Sequence, residues 1–446
     1  MKNSFDAFFN DIVSQAGLKN EHDLTLPELR SIISKINEYF YTTYDGIGTV
    51  EALDESFDYF SEFHKFWEKY HKDILNPIVD TERCKQVAKI LNKINIDNGK
   101  SVFHELYNTF SLRPEEICKI RYFAANQDFR GSRDFEDLFQ KYSDDPTIFD
   151  KNRINKDPVG FLKDIGITSL SQSDKRIKYA LIASQILIDN NIEPFQLYEH
   201  FGKDLYKIRG FLLSNRGSGF GNKKTDMFIR DMVVLGVWDK PVNFEKIDVA
   251  SDINTVKVAL RTGILKTAIP LVSSFMDIFC YQYGLIDEMN ALAWRKVWEE
   301  WRAMYPQSCI ESPSLIDYFV YRVIGKNFCK ESLCIFQCES GLHQFKWHSG
   351  RNKTCQVCKE QKASVIRKVM PCSDSEGHLV IEKSEFVTGD HPLLKDIREC
   401  PFVEVCNPKT PSFRKLNPPK SISILGQTGW ESARTMKNEG GGGLMS

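Results

Sequence analysis

From about residue 76 to about residue 328 the chain repeats one pattern, apolar residues at helical spacing in blocks such as Arg83 to Leu91, with no strand-like alternation. Short polar breaks such as Asp144-Asp145-Pro146 and Asn152 to Pro158 separate the blocks, and no internal repeat is evident. Such a stretch folds as packed helices, so the expected class is mainly α. The 446 residues allow two or three domains, and a 42% hydrophobic, 27% charged composition is that of an ordinary globular protein. A formal net charge of -1 excludes a globally basic nucleic-acid binder, so any DNA-binding charge has to be local.

Residues 1–75 read as an acid-leaning helical extension, with a helix start at Thr25-Leu26-Pro27-Glu28 and aromatic residues crowded between Phe57 and Tyr70. Residues 329–410 are rich in Cys, His and Lys and poor in long helical periods, which suggests a metal-stabilised module. The 411–446 tail ends in Gly440 to Gly443 and is expected to be flexible. No apolar run is long enough to span a bilayer, and the start Met1 to Asp6 lacks the apolar core of a signal peptide. The expected location is therefore the cytoplasm or nucleoid, with no membrane partner and no secretion. Twelve cysteines in a reducing compartment argue against a disulfide framework.

The segment Arg216-Gly217-Ser218-Gly219-Phe220-Gly221-Asn222-Lys223-Lys224-Thr225 lies between two helical blocks. Its three alternating glycines permit positive φ and close backbone approach. A glycine turn at a helix start presents N–H groups that grip a phosphate without reading sequence. A plain helix connector has the same composition. Downstream, Asp252 heads a further helical run containing Val258, Arg261 and Thr262.

Gly219-Phe220-Gly221 followed by Lys223, then Asp252 at a helix start, resembles the helix-hairpin-helix DNA glycosylases, the superfamily of endonuclease III and the 8-oxoguanine glycosylases. Phe123-Ala124-Ala125-Asn126-Gln127 resembles the segment whose glutamine fills the gap left by a flipped base. The resemblance spans about residues 76–340 and implies a two-lobed core. It implies that Gly219, Gly221, Lys224 and Gln127 contact DNA, that Lys223 attacks the sugar and that Asp252 assists. One residue between Gly221 and the lysine selects Lys223, whereas Lys224-Thr225 mimics the lysine–threonine pair of the superfamily, so Lys224 stays a rival nucleophile. The separation from lysine to aspartate exceeds that in endonuclease III. Singly, the residues also read as a surface lysine and a helix-capping aspartate.

The segment Tyr318 to Cys329 resembles the helix before the iron–sulfur loop of endonuclease III, which implies a [4Fe–4S] cluster on Cys329, Cys334, Cys400 and Cys406, interrupted by an insertion. Within that insertion Cys355-Gln356-Val357-Cys358 is a compact knuckle, and a tetrahedral zinc site needs two further Cys or His ligands. The preferred set is Cys338, Cys355, Cys358 and Cys372; Cys334, Cys338, Cys355 and Cys358 form an alternative, and buried thiols without metal a third. His343 and His348 lie in the same stretch. Lys353, Lys359, Lys362, Arg367 and Lys368 surround the knuckle and suit DNA phosphates or a solvated face, while Phe345 and Trp347 suit base stacking or packing on the module. Cys84, Cys118 and Cys280 read as core residues.

Three functions follow as expectations. The first is a DNA glycosylase, with or without lyase activity, for a damaged base or a hypermodified base in foreign DNA. The others are a non-catalytic DNA-binding protein and a metal-dependent interaction protein.

Overall fold

The computed structural model describes residues 72, 76–106, 109, 112–127, 135–167, 173–267, 283–328 and 400–406, with the backbone of strands at 49–52, 55–58, 333–338, 344–347, 353–354 and 362–369. Strands β1 (Thr49–Ala52), β2 (Glu55–Asp58) and β3 (Ile78–Val79) precede helices α1 (Thr81–Asn98), α2 (Pro114–Gln127), α3 (Phe135–Asp144), α4 (Lys151–Lys156), α5 (Pro158–Asp164), α6 (Ser173–Asp189), α7 (Leu197–His200), α8 (Leu205–Ser214), α9 (Asn222–Val234) and α10 (Ile253–Thr262). Then follow β4 (Leu265–Lys266), α11 (Tyr283–Met304), α12 (Ser314–Tyr318), a π-helix (Phe319–Phe328), β5 (Leu333–Cys338), β6 (Gln344–Trp347), β7 (Lys353–Thr354) and β8 (Lys362–Val369). The described chain is mainly helical, as the sequence pattern requires.

Two differences from the sequence pattern appear. Residues 49–58, inside the segment expected to be helical, pair as an antiparallel hairpin with Val50 opposite Phe57; the β-branched and aromatic residues there favour strands. The break expected from Asn152 to Pro158 is narrower, because Asp150 caps α4 and Asp157 caps α5, whose first residue is Pro158. Aspartate caps and a proline at the first helical position let two short helices abut with one residue between them. The expected start at Thr25 to Glu28 and the tail lie outside the described residues.

The chain divides into two compact units, Ile94–Ser251 with Arg302–Phe319, and Met1–Lys93 with Asp252–Trp301 and Val320–Ser446. In the first, aromatic rings form the centre of the core. Phe161 meets Phe123 and Phe149, and Trp238 stacks on Tyr198 at 5.3 Å. The same interior holds four charges. Arg121 of α2 donates through Nε to Asp231 of α9 at 3.0 Å, Arg230 donates to the other oxygen of Asp231, and Arg230 also pairs with Asp317 of α12. All four are buried. Each charge is costly to desolvate alone, so the network ties α2, α9 and α12 together.

In the second unit Cys84, Val87, Ala88 and Leu91 make one buried stripe on α1, at the spacing of a helix face. Trp294 and Trp301 of α11 are also buried, and Trp301 Nε1 donates to Asn92 Oδ1 at 3.0 Å. Strands β3 and β4 pair, and Lys266 bridges to Asp80 at 2.5 Å. The cysteine-rich stretch contains a four-stranded antiparallel sheet in the order β6-β5-β8-β7.

Candidate functional site

Helices α8 and α9 are joined by the glycine-rich turn of residues 215–221. Asp204 starts α8 by accepting from the N–H groups of Tyr206 and Lys207. Asn215 ends it, donating from Nδ2 to the Phe211 carbonyl at 2.7 Å. Gly217 and Gly219 then take φ of +81° and +84°, which glycine adopts without strain. A Cβ at Gly217 would lie 2.9 Å from Ile182, and one at Gly219 would lie 2.7 Å from Tyr179 and 3.0 Å from the Asn126 carbonyl. The turn is therefore pressed onto α6 and the end of α2. Phe220 is buried 5.0 Å from the Tyr122 ring, which pins the tip in the core.

Gly221 differs from its two neighbours. Its φ of -98° suits any residue, and among the described residues nothing lies within 4 Å of a Cβ built there. It caps α9 without a side-chain acceptor. A helix start of this kind faces outward with N–H groups to satisfy and the positive end of the helix dipole. Arg209 braces this turn, bonding Asn222 Oδ1 at 3.0 Å and pairing with Asp226.

The two lysines diverge. Lys223 is exposed, and among the described residues no acceptor holds its ammonium. Lys224 is half-buried, donates from Nζ to the Asn126 carbonyl at 2.8 Å and lies 5.2 Å from the centre of the Tyr179 ring. Adjacent helical positions point about 100° apart, which gives the pair two destinations.

Gln127 ends α2 in the interior. It is 2% exposed, its amide donates to the Arg176 carbonyl at 3.1 Å, and Arg176 returns a bond to the Gln127 carbonyl at 3.1 Å. Contact with DNA would require Gln127 to leave this position. Among the described residues its Oε1 and both side-chain polar atoms of Asn126 have no hydrogen-bond partner. Buried polar groups left so cost about 1–3 kcal/mol each.

Asp252 belongs to the other unit. Its Oδ1 accepts from the N–H groups of Asn254 and Thr255 at 2.9 and 2.8 Å, while Thr255 Oγ1 accepts from the Asp252 N–H at 2.9 Å, a reciprocal cap on α10. Thr255 is anchored in turn by Asn290 and Trp294. Oδ2 takes one bond, from Asn254 Nδ2 at 3.1 Å. The carboxylate is thus a cap through one oxygen and keeps lone pairs on the other. Asn254, which bonds it, and Lys257 and Gly325, which contact Asn254, escaped the sequence reading. The Asp-x-Asn spacing was the one available signal for Asn254.

Of the cysteines, Cys400 and Cys406 bound a tight turn in which the Cys406 N–H bonds the Phe402 carbonyl at 2.8 Å, and Phe402 and Val405 are buried beneath it. Cys334 and Cys338 lie near opposite ends of β5, Cys334 opposite Trp347 and Lys368 and Cys338 opposite Ala363. Cys329, Cys355, Cys358 and Cys372 lie outside the described residues. Among the described residues no group of three or more His, Cys, Asp or Glu is gathered for a metal, and no helix is long and apolar enough to cross a membrane.

No protein-family model matches this chain, and neither a curated protein nor a solved structure is similar to it at a significant level.

Proposed function

We propose that the chain is a DNA glycosylase that flips a damaged or modified base out of the duplex and breaks its glycosidic bond, with Lys223 as nucleophile and Asp252 as its partner. The helix–hairpin–helix built on Gly217, Gly219 and Gly221 carries the reading. A rigid turn, anchored by Phe220 and bare at Gly221, suits close approach of a DNA phosphate to the start of α9. Lys223 in the first turn of α9 is exposed to such a ligand.

Base departure builds positive charge on the sugar. The lone pairs that the cap leaves on Asp252 Oδ2 suit stabilisation of that charge. Attack by the neutral lysine amine on the anomeric carbon forms a carbon–nitrogen bond as the carbon–base bond breaks. The leaving base takes a proton, and ring opening yields a Schiff base from which β-elimination cuts the strand. Burial inside a duplex makes the extrusion step obligatory, at about a few kcal/mol.

The cysteine-rich stretch is proposed to be a metal-stabilised part of the same DNA-binding protein. The Cys400–Cys406 turn fits two thiolates of a [4Fe–4S] cluster with Cys329 and Cys334. A separate zinc ion fits Cys338, Cys355 and Cys358. In sequence Cys355 follows β7 and Cys358 precedes β8, and the start of β8 pairs beside Cys338. Cys372 is proposed as the fourth ligand. Either group would act in folding and DNA docking.

Base release from duplexes carrying oxidised, alkylated, deaminated or hypermodified bases tests the proposal. Free base with the wild type and none with Asp252→Asn, at unchanged DNA affinity, is the expected result. DNA binding without base release from any duplex would favour a non-catalytic binding protein.

A further inference from the structure

The oxygen of Asp252 left free by the helix cap is held by a second layer of groups. Asn254 donates from Nδ2 to Asp252 Oδ2 at 3.1 Å. The Asn254 carbonyl oxygen faces the ammonium of Lys257 at 3.5 Å, and the same ammonium donates to the Gly325 carbonyl at 3.3 Å. Lys257 is only 8% exposed. Gly325 closes the arrangement from the other side, since a Cβ there would lie 2.7 Å from Asn254 Cβ and 3.2 Å from the Val320 carbonyl.

Gly325 sits in the ten-residue π-helix Phe319–Phe328. Such helices are rare and concentrate at functional sites. Here the segment brings a bare glycine face and a carbonyl against one side chain. An amide has a donor end and an acceptor end. Lys257 selects which end of Asn254 faces it, because an ammonium only donates. The NH2 end is thereby turned to Asp252.

We propose that Lys257 and Gly325 form a positioning device that fixes the amide orientation of Asn254 and, through it, the reacting oxygen of Asp252. This rests on Asp252 being the reacting carboxylate. In this arrangement the Lys257 ammonium reaches Asp252 through Asn254. A lysine buried only for packing would leave the amide indifferent to its loss.

The test uses the full-length chain with two readouts. In free protein carrying 15N-labelled asparagine, the Asn254 side-chain amide, assigned by its loss in Asn254→Ser, is expected to be protected from solvent exchange. Lys257→Met and Gly325→Ala should abolish the protection, and Lys257→Arg should retain it. In single-turnover base release, Lys257→Met should slow the chemical step on the order of 100-fold, the cost of a misplaced reacting group, with DNA affinity unchanged. Lys257→Arg should recover most of the rate. Asn254→Asp, which keeps the volume and loses the donor, should match Lys257→Met and covers the case in which a lysine variant does not fold. An amide that exchanges freely in the wild type, or stays protected in folded Lys257→Met, overturns the proposal. Wild-type protein that releases no base overturns the glycosylase reading instead, and the exchange result then decides the positioning claim alone.

Discussion

Lys224 Nζ donates to the carbonyl of Asn126 at 2.8 Å, closing the end of α2 with a residue from the first turn of α9. The hairpin and the Asn126–Gln127 corner are thereby one piece, with Gly219 wedged between them. Lys224→Met should cost about 1–3 kcal/mol, the value of a hydrogen bond from a charged group. Lys223→Gln should stay within about 0.5 kcal/mol, as for other exposed positions. Urea unfolding of the two variants beside the wild type checks the contrast.

The glycines should separate in the same way. Gly219→Ala forces a side chain into φ +84° and against Tyr179, so it should lose about 1–3 kcal/mol of stability. Gly221→Ala meets nothing among the described residues and should cost less than about 1 kcal/mol as a poorer cap. Its effect should fall on DNA affinity, because the added methyl stands where a phosphate would approach. Thermal unfolding and fluorescence anisotropy with a labelled duplex distinguish the two.

Asp231 accepts from both Arg121 and Arg230, and all three are buried. Asp231→Ala leaves two guanidinium groups buried without it and should destabilise by about 3–5 kcal/mol. A loss under about 1 kcal/mol in guanidinium unfolding would contradict the account of how α2, α9 and α12 are held.

Burial pushes the Cys84 thiol up to about 12 and the Cys118 thiol well above its ordinary value. Both should be neutral and inert at pH 8. Iodoacetamide labelling followed by mass spectrometry should leave them unmodified in the native protein and modified after denaturation. Because the folded value for Cys84 lies above the unfolded one, its contribution is complete below the unfolded pKa and is lost as pH rises toward 12.

Metal content gives a further check. Protein purified without air should carry iron with a broad visible absorbance, removed by Cys400→Ser or Cys406→Ser. Zinc measured by mass spectrometry should survive those changes and fall with Cys355→Ser or Cys358→Ser. Cys372→Ser should release zinc as well, and His343→Ala should not.

Much of this was legible in residue order. Helical periodicity marked the mainly helical stretch from about 76 to 328 though not α4, which lies where a break was expected, and the glycine spacing marked the turn before α9. The glycine reading was right in kind at Gly217 and Gly219 and different at Gly221, where open space rather than positive φ is the feature. The sequence did not separate Lys223 from Lys224, because their directions depend on Asn126, 98 residues away from Lys224. Nor did it show the Lys257–Gly325 contact, which joins positions 68 apart and depends on a π-helix that no local propensity announces. The hairpin at 49–58 was hidden by acidic and aromatic residues common to both element types.

Borohydride trapping on duplexes with abasic, oxidised, alkylated and hypermodified sites tests the central claim most directly. The account predicts a covalent protein–DNA adduct that is lost in Lys223→Gln and retained in Lys224→Gln whenever that variant is folded. An adduct that survives Lys223→Gln and disappears in folded Lys224→Gln, or no adduct with any duplex, would contradict Lys223 as the nucleophile.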